Sequence, residues 1–314
     1  MVKPILVVNV PLTEEELKEL IELAPTYKVV ETLEEDDRVE DVAIMYGWNQ
    51  SLGQRILSTP SNQLKWIQAE SAGYDHIDTE SLSHQHILLS NASGIHGHQM
   101  SESILGMIFA HTRKIKEAIL QQEKKNWLKP EGLSDLNGKK VMIVGTGHIG
   151  ERLAEILQVF QTEVTGVNRK GREVPHFDHI VRQENIQTVI GDMDIIISLL
   201  PDSMETKHFF NKELFSIMKP GVMFINAGRG GTVNTADLID YCQNQTIGFA
   251  GLDVFEEEPL PETSPLWQLE NCLITPHSSG MSDQYYRRLH PIFMANFTHF
   301  LKTGDIEVNK INLT

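Results

Sequence analysis

Apolar residues recur along the first third of the chain with two different spacings. Apolar runs of strand length occupy residues 4–10, 27–30, 42–46, 65–68 and 87–89. Residues 14–23 instead have the spacing of an amphipathic helix, and Thr13 stands where a helix N-cap belongs. Strands that alternate with helices predict an α/β domain with a parallel sheet.

The later part of the chain continues this alternation. Residues 100–125 have an apolar helical face and predict one long helix that links two domains. Buried strands are then predicted at 141–144, 194–200, 221–226, 248–253 and 272–275, with helices at 151–160, 211–218 and 235–242. A last amphipathic helix at 282–302 and an extended tail at 307–312 are predicted to return to the first domain.

A glycine pattern, Gly145-Thr146-Gly147-His148-Ile149-Gly150, follows the strand predicted at 141–144 and precedes a helix. Gly145 permits a tight turn, Gly147 lets backbone N–H groups approach a pyrophosphate, and Gly150 permits close helix-strand packing. The pattern together with its flanking elements predicts a dinucleotide site.

The residues after the next strand predict which dinucleotide binds. Asn168, Arg169 and Lys170 stand where an NAD site usually carries an acidic side chain that bonds the ribose. A guanidinium can bind a 2′-phosphate with paired, charge-assisted hydrogen bonds. We therefore predict NADP(H) as the preferred cofactor. NAD(H) is the alternative, because a solvated basic turn is also compatible with it.

These elements predict an α/β protein with two Rossmann-like, doubly wound parallel-sheet domains and an interdomain cleft that binds the ligands. The predicted substrate domain is discontinuous and comprises residues 1–99 and 284–314. Residues 100–283 form the predicted dinucleotide-binding domain.

Composition and charge exclude several classes of partner. The net charge of −16 argues against nucleic acid, which requires a basic surface. No segment approaches the roughly 20 apolar residues needed to span a bilayer, and no signal peptide is evident, so we predict a cytoplasmic protein without a membrane partner. Cys242 and Cys272 fit no disulfide framework and are predicted to be buried. The histidines have no metal-binding spacing, so no metal is predicted.

Three side chains of complementary chemistry follow predicted strands in the second half of the chain: Arg229, Glu258 before Pro259, and His277 after Pro276. With the glycine pattern and the segment 71–78, Ser-Ala-Gly-Tyr-Asp-His-Ile-Asp, they occur in a fixed order. In these motifs the chain resembles the D-isomer-specific 2-hydroxyacid dehydrogenases, which include glyoxylate/hydroxypyruvate reductase and phosphoglycerate dehydrogenase. The likeness covers nearly the whole chain.

The resemblance implies NADPH-dependent reduction of a small 2-oxo acid to the D-2-hydroxy acid. His277 would donate the proton, and Glu258 would orient its ring and favour its protonated form. Arg229 would bind the substrate carboxylate and polarise the carbonyl. The backbone N–H groups of Ala72, Gly73 and Tyr74 would complete the carboxylate site.

The resemblance also implies roles for other residues around the cofactor. Leu200, Pro201 and Thr206 would line the adenosine side. Residues that would adjoin the nicotinamide are Ala227, Gly228, Asp253, Ser279, Gly280 and Met100. The alternatives are a strand-end cap for Asp253 and a core position for Met100. Glu256 and Glu257 are interpreted as solvated turn charges. Residues 91–98 depart from the family's Asn-Thr-Pro-Gly segment and carry His96 and His98.

Two other functions stay open. One is oxidation of a phosphorylated hydroxy acid such as 3-phosphoglycerate, although the first domain shows no clear basic cluster for a phosphate. The other is a dinucleotide-sensing interaction protein. The resemblance further implies a homodimer, with the apolar helix after Met100 as a candidate contributor to the interface.

Overall fold

A computed structural model describes residues 3–34, 36–74 and 76–313, which form two compact units. The first unit contains the described residues within Met1–Ile95 and Ser282–Thr314, and the second is His96–Met281. The units change over a few residues before the predicted boundaries at 99/100 and 283/284.

The first unit is built on a parallel five-stranded sheet with the strand order β2-β1-β3-β4-β5. Its strands are β1 (Ile5–Val8), β2 (Lys28–Val30), β3 (Val42–Tyr46), β4 (Trp66–Gln68) and β5 (Leu88–Ser90). Its helices are α1 (Glu14–Leu23), α2 (Gln50–Leu57), α3 (Thr79–His84) and the last helix of the chain, α9 (Tyr285–Thr303). The predicted cap of α1 is confirmed, since Thr13 and Glu16 form a reciprocal capping box.

Both faces of this sheet are covered, so the central strands β1 and β3 are buried at every position. Helix α9 covers one face with aromatic rings: Phe293 stacks on Tyr46 with ring centroids 3.9 Å apart and on Trp66 at 5.0 Å. The tail then joins the sheet edge, where the Ile311 N–H donates to the Leu89 carbonyl. The predicted return of the tail to the first domain is thus observed, as an isolated bridge and not as a full strand.

The second unit contains a parallel seven-stranded sheet with the order β12-β11-β10-β9-β6-β7-β8. Its strands are β6 (Lys140–Val144), β7 (Glu163–Asn168), β8 (His179–Arg182), β9 (Ile195–Ser198), β10 (Val222–Asn226), β11 (Ile247–Leu252) and β12 (Cys272–Ile274). Its helices are α4 (Gly97–Thr112), α5 (Ile115–Glu123), α6 (His148–Val159), α7 (Lys212–Ser216) and α8 (Thr235–Gln243). The chain winds outward in both directions from β6, as the sequence predicts, so the glycine loop lies at the switch point.

The prediction of a single long helix at 100–125 is wrong, because two helices occupy this segment. The helix is interrupted at Lys114, whose φ of +57° lies in the left-handed region, and a new helix, α5, follows. Helix α4 has a buried face, whereas Ile115, Ile119 and Leu120 of α5 are about half exposed. Apolar spacing continues through the break, so the pattern could not locate it. The short edge strand β8 was also missed, because no fully buried residue marks it.

Among the residues that the structure describes, no helix is both long and apolar enough to cross a membrane. In the same residues no group of three or more His, Cys, Asp or Glu side chains is placed to hold a metal ion. Cys242 and Cys272 are buried free thiols, as predicted, and burial raises the pKa of each to about 12.

Candidate active site

The glycine pattern forms a tight loop between β6 and α6. Gly145 has a φ of +111°, a conformation that favours glycine, and Gly147 is the N-cap of α6. A Cβ at Gly150 would collide with the carbonyl oxygen of Gly145, so helix and loop approach this closely only without a side chain there. His148 and Ile149 belong to the first turn of α6. The positive end of this helix therefore meets a loop of the shape that a pyrophosphate requires.

Asn168, at the end of β7, fastens the basic turn to the glycine loop. Its side-chain amide donates to Thr146 Oγ1 over 3.1 Å and to the Arg172 carbonyl over 2.9 Å. Its side-chain oxygen accepts from the Arg172 N–H over 3.0 Å. Lys170 is exposed in this turn. Asn168 thus organises the turn that would receive the adenosine ribose.

Arg169 pairs with a carboxylate that the sequence reasoning missed. Its Nη2 lies 2.6 Å from Glu205 Oε2, and both side chains are mostly exposed. A surface pocket of about 560 Å³ includes this pair together with Glu184 and Glu213. A 2′-phosphate bound by Arg169 would have to displace Glu205. The signal was available, since Glu205 precedes Thr206 in the segment predicted to line the adenosine side.

The segment after β9 folds into a turn that carries Glu205. Leu200 is buried and Pro201 is exposed. The Thr206 hydroxyl, which is almost fully buried, donates to the Pro201 carbonyl over 2.7 Å. This bond closes the turn and fixes the position from which Glu205 reaches Arg169.

Arg229 lies in the loop after β10, and this loop directly contacts the loop after β11. A Cβ at Gly230 would collide with the backbone of Phe255, so no side chain separates the two loops. The Asn226 side chain donates to the Arg229 carbonyl over 3.1 Å. The guanidinium is half-buried and donates through Nη1 to the Gly228 carbonyl over 2.9 Å. Its remaining N–H groups are enough to bind a carboxylate in a bidentate manner.

His277 and Glu258 form a hydrogen bond, with Nδ1 2.7 Å from Oε2. The other carboxylate oxygen of Glu258 accepts from the Phe255 N–H over 2.9 Å, which fixes the carboxylate. An ionised carboxylate can only accept, so Nδ1 carries the hydrogen of the pair. Nε2 is then the ring nitrogen that can face a substrate, and 49 % of the His277 side chain is exposed.

Buried Asp253 holds the loop that carries His277. Its carboxylate accepts from the Thr275 hydroxyl, from the Ser278 N–H over 2.9 Å and from the Ser279 N–H over 3.1 Å. Its carbonyl accepts from the His277 N–H over 2.8 Å. His277 has a φ of +50°, a sparsely populated conformation that these bonds impose. The alternative interpretation of Asp253 as a strand-end cap thus describes its contacts, and its bond to the nicotinamide stays a prediction.

The other residues predicted near the nicotinamide have different surroundings. Ala227 and Ser279 are buried, and the Gly280 carbonyl accepts from the Gln99 side chain over 3.2 Å. Met100 is only 8 % exposed and packs in an apolar cluster with residues of α4 and β6. This is the core position that was the alternative for Met100.

The predicted carboxylate loop lies in the first unit, after β4. Its carbonyl groups are held within that unit: the Ala72 carbonyl accepts from Asn91, the Gly73 carbonyl from Ser71 and the Tyr74 carbonyl from the Ile77 N–H. Asp75, which belongs to the same motif, lies outside the described residues. The binding of substrate by Ala72, Gly73 and Tyr74 stays a prediction.

Glu256 is exposed, as expected for a turn charge, but its carboxylate is also paired. Its Oε1 lies 2.6 Å from His208 Nε2, and its Oε2 accepts from the Thr235 N–H over 2.7 Å at the start of α8. Burial raises the pKa of Glu256, but hydrogen bonds from Thr235 and His208 outweigh burial and leave that pKa below its ordinary value. The second unit therefore contains a second histidine-glutamate pair, and it lies beside the Arg229 loop, since the His208 N–H donates to the Gly231 carbonyl over 2.9 Å.

A family model places this site in a known group. The model of the D-isomer specific 2-hydroxyacid dehydrogenase, NAD binding domain, matches residues 105–279, which is more than half of the chain. The chain belongs to the D-isomer specific 2-hydroxyacid dehydrogenases. It is therefore an oxidoreductase with the two parallel-sheet, Rossmann-like domains of this family. The matched segment of this dehydrogenase includes the glycine loop, Arg229, Glu258 and His277.

Individual relatives agree with this assignment. A Dictyostelium discoideum protein described as a probable 2-ketogluconate reductase is 33% identical over 79% of this chain and 76% of its own length. Glyoxylate/hydroxypyruvate reductase B of Klebsiella pneumoniae subsp. pneumoniae is 30% identical over 80% of this chain and 79% of its own length. The crystal structure of a D-isomer specific 2-hydroxyacid dehydrogenase family protein from Aeromonas salmonicida subsp. salmonicida matches with a TM-score of 0.85 and 30% identity, covering 99% of this chain and 98% of that one.

Proposed function

We propose that this dehydrogenase reduces a small 2-oxo acid to the D-2-hydroxy acid with NADPH, in a reversible reaction. The observation that carries the proposal is the 2.7 Å pair between His277 Nδ1 and Glu258 Oε2, in the unit that also carries Arg229 and the glycine loop. The names of the reductases similar to this chain support the same substrate class.

The residues of the second unit fit a dinucleotide. The loop at Gly145 to Gly150 has no side chain where the pyrophosphate would approach, and Arg169 and Lys170 supply cations beside the ribose site. When bound, NADPH supplies the hydride. The protein's own contribution is to bind the oxo acid and to move the proton.

Each of the three side chains has one part in this reaction. Arg229 binds the carboxylate of the oxo acid and draws electron density from the neighbouring carbonyl, which favours attack at C2. The oxygen at C2 gains negative charge as the hydride arrives, and His277 Nε2 donates its proton to that oxygen. Glu258 stabilises the imidazolium before transfer and keeps the ring in place afterwards. In the reverse direction neutral His277 takes the proton back.

Steady-state oxidation of NADPH at 340 nm tests the proposal. The panel comprises glyoxylate, hydroxypyruvate, pyruvate and phenylpyruvate, and 3-phosphoglycerate with NADP⁺ is the reverse arm. We expect turnover of at least one small 2-oxo acid with one NADPH oxidised per hydroxy acid formed. Turnover of 3-phosphoglycerate alone would favour the phosphorylated hydroxy acid instead, and no turnover with any of these acids would contradict the proposal.

Cofactor preference gives a separate prediction. Arg169→Ala should lower the ratio of kcat/KM for NADPH to kcat/KM for NADH by about 10-fold to 100-fold, because a charged hydrogen bond contributes about 1.5–3 kcal/mol. Glu205→Gln should raise the same ratio a few-fold, because its carboxylate, 2.6 Å from the Arg169 guanidinium, competes with the 2′-phosphate. Arg113→Ala, which breaks a surface pair with Asp135, is the control. An unchanged ratio in Arg169→Ala would refute the cofactor assignment.

We also propose that the chain forms a homodimer and acts in the cytoplasm. Large apolar side chains are exposed along one stretch of the second unit: Ile115, Ile119, Leu120, Trp127, Leu128 and Leu133. Trp127 is 96 % exposed, and patches of this kind are rare on monomers. Ile115, Ile119 and Leu120 lie within 100–125, the segment that the sequence suggested for the interface.

Light scattering after size exclusion tests the dimer. We expect a mass twice the 35.5 kDa of one chain, and a lower mass for the double variant Trp127→Ser, Leu128→Ser. Val159→Ser, at a 78 % exposed position on α6, should leave the mass unchanged. A parent protein that elutes at 35.5 kDa at all concentrations would contradict the homodimer.

A further inference from the structure

Arg182 is an exposed arginine at the edge of the sheet where the ribose of the cofactor would bind. It is the last residue of β8, and in the parallel pairing of β7 with β8 it lies opposite Asn168, the last residue of β7. Asn168 holds the basic turn (168–172) through its two bonds to Arg172. The carboxyl ends of neighbouring parallel strands form one edge of a sheet, and ligands bind along that edge. Arg182 is therefore placed beside the turn that carries Arg169.

A glycine in the basic turn lets the Arg182 side chain lie against it. Gly171 has a φ of +64°, which favours glycine, and a Cβ placed there would be 2.8 Å from Arg182 Cγ and 3.4 Å from Arg182 Nε. A side chain at position 171 would therefore collide with the stem of Arg182. Because Nε is this close to the turn, the guanidinium itself lies at the turn. It approaches from β8, whereas Arg169 belongs to the turn.

In the described part of the chain the guanidinium of Arg182 has one ion-pair partner, and that pair is loose. Arg182 Nη1 lies 3.6 Å from Glu184 Oε1, which is longer than a hydrogen bond, and more than half of each side chain is exposed. Glu184 lines the pocket of about 560 Å³ together with Glu205, the partner of Arg169. Each of the two arginines is thus paired with an exposed glutamate of the same pocket. Exposed ion pairs are weak, so a phosphate can replace either glutamate.

We propose that Arg182 is a specificity-determining residue, whose guanidinium binds the 2′-phosphate of NADP(H) together with Arg169. This inference rests on the proposed function and adds a second guanidinium to its cofactor site. A 2′-phosphate carries about two negative charges at pH 7 and presents three acceptor oxygens, more than one guanidinium can bind. Two guanidinium groups from different elements give it charge-assisted hydrogen bonds from two sides. NAD(H) has a hydroxyl in place of this phosphate and gains no such bonds from Arg182.

Calorimetric titration with 2′,5′-ADP and with 5′-AMP tests this assignment without turnover, because the two nucleotides differ only in the 2′-phosphate. Arg182→Ala should raise the Kd of 2′,5′-ADP by about 10-fold and leave the Kd of 5′-AMP within about two-fold of the parent value. Arg182→Lys should recover part of the affinity, because an ammonium keeps the charge but not the paired bonds. Arg38→Ala is the matched control, since it removes another exposed arginine that lies 3.6 Å from the glutamate two residues later.

The outcomes separate this inference from the proposed function. If the parent protein prefers 2′,5′-ADP and Arg182→Ala leaves the ratio of the two Kd values unchanged, the role of Arg182 is refuted and the proposed function stands. If Arg38→Ala lowers that ratio as much as Arg182→Ala, the assignment to Arg182 is also refuted. If the ratio falls in Arg182→Ala but no 2-oxo acid is reduced, the role of Arg182 stands and the substrate assignment fails. Equal binding of both nucleotides by the parent protein would refute the NADPH preference and this inference together.

Discussion

Replacement of His277 by alanine is expected to lower kcat for reduction of the preferred 2-oxo acid by about 10²-fold to 10⁴-fold. The imidazole is the group that would protonate the oxygen at C2, and its loss leaves only water for that transfer. Binding of NADPH should be nearly unchanged, because the glycine loop and Arg169 are untouched. Stopped-flow measurement of NADPH oxidation, with fluorescence titration of NADPH binding, gives both quantities.

The second histidine-glutamate pair supplies the control for this variant. His208 Nε2 lies 2.6 Å from Glu256 Oε1. This pair is in the same unit as His277 and, like His277, its histidine is paired with a glutamate. His208→Ala should keep most of the activity, although it removes a pair of the same kind. Turnover by His277→Ala within two-fold of the parent would exclude His277 as the proton donor.

Replacement of Arg229 by alanine is expected to lower kcat/KM for the 2-oxo acid by about 100-fold or more. The half-buried guanidinium would bind a charged carboxylate, so truncation leaves that charge without its partner. Arg229→Lys should recover only part of the loss, because an ammonium cannot bind a carboxylate through two parallel bonds. Steady-state kinetics with the acid as the varied substrate measures the effect.

A neutral substrate makes the Arg229 test more specific. The 2-oxo amide that corresponds to the preferred acid has no carboxylate charge, so its low rate of reduction should fall much less in Arg229→Ala than the rate for the acid, because only the polarisation of the carbonyl is lost. The Arg113→Ala variant used with the two cofactors serves again as the surface control. Equal losses for the acid and its amide would show that Arg229 acts on the fold of its loop and not on the carboxylate.

The sequence predicted those parts of the fold that depend on local pattern. The capped helix α1 was located to the residue, because Thr13 and Glu16 mark its start chemically. The break at Lys114 was missed, because it depends on one backbone conformation and not on a change of residue type. The edge strand β8 was missed because its residues are only half-buried or exposed, so it lacks the apolar run of a central strand.

In the candidate site, too, some contacts were predicted from the sequence and others were not. The resemblance to the family predicted a hydrogen bond between Glu258 and His277, and the structure shows it at 2.7 Å. The pairing of Glu256 with His208 was not predicted, since it joins loops far apart in sequence. The pairing of Arg169 with Glu205 was also missed, although Glu205 precedes Thr206 in the segment predicted to line the adenosine side.

Transfer of deuterium from the cofactor tests the central claim most directly. The protein is incubated with NADPH that carries deuterium at both C4 positions and with the best 2-oxo acid other than glyoxylate, whose product has no D or L form, and the product is analysed by mass spectrometry and chiral chromatography. We predict one deuterium at C2 of the D-2-hydroxy acid for each NADPH oxidised. A product without deuterium at C2, or an L-hydroxy acid, would contradict direct hydride transfer in a D-specific site.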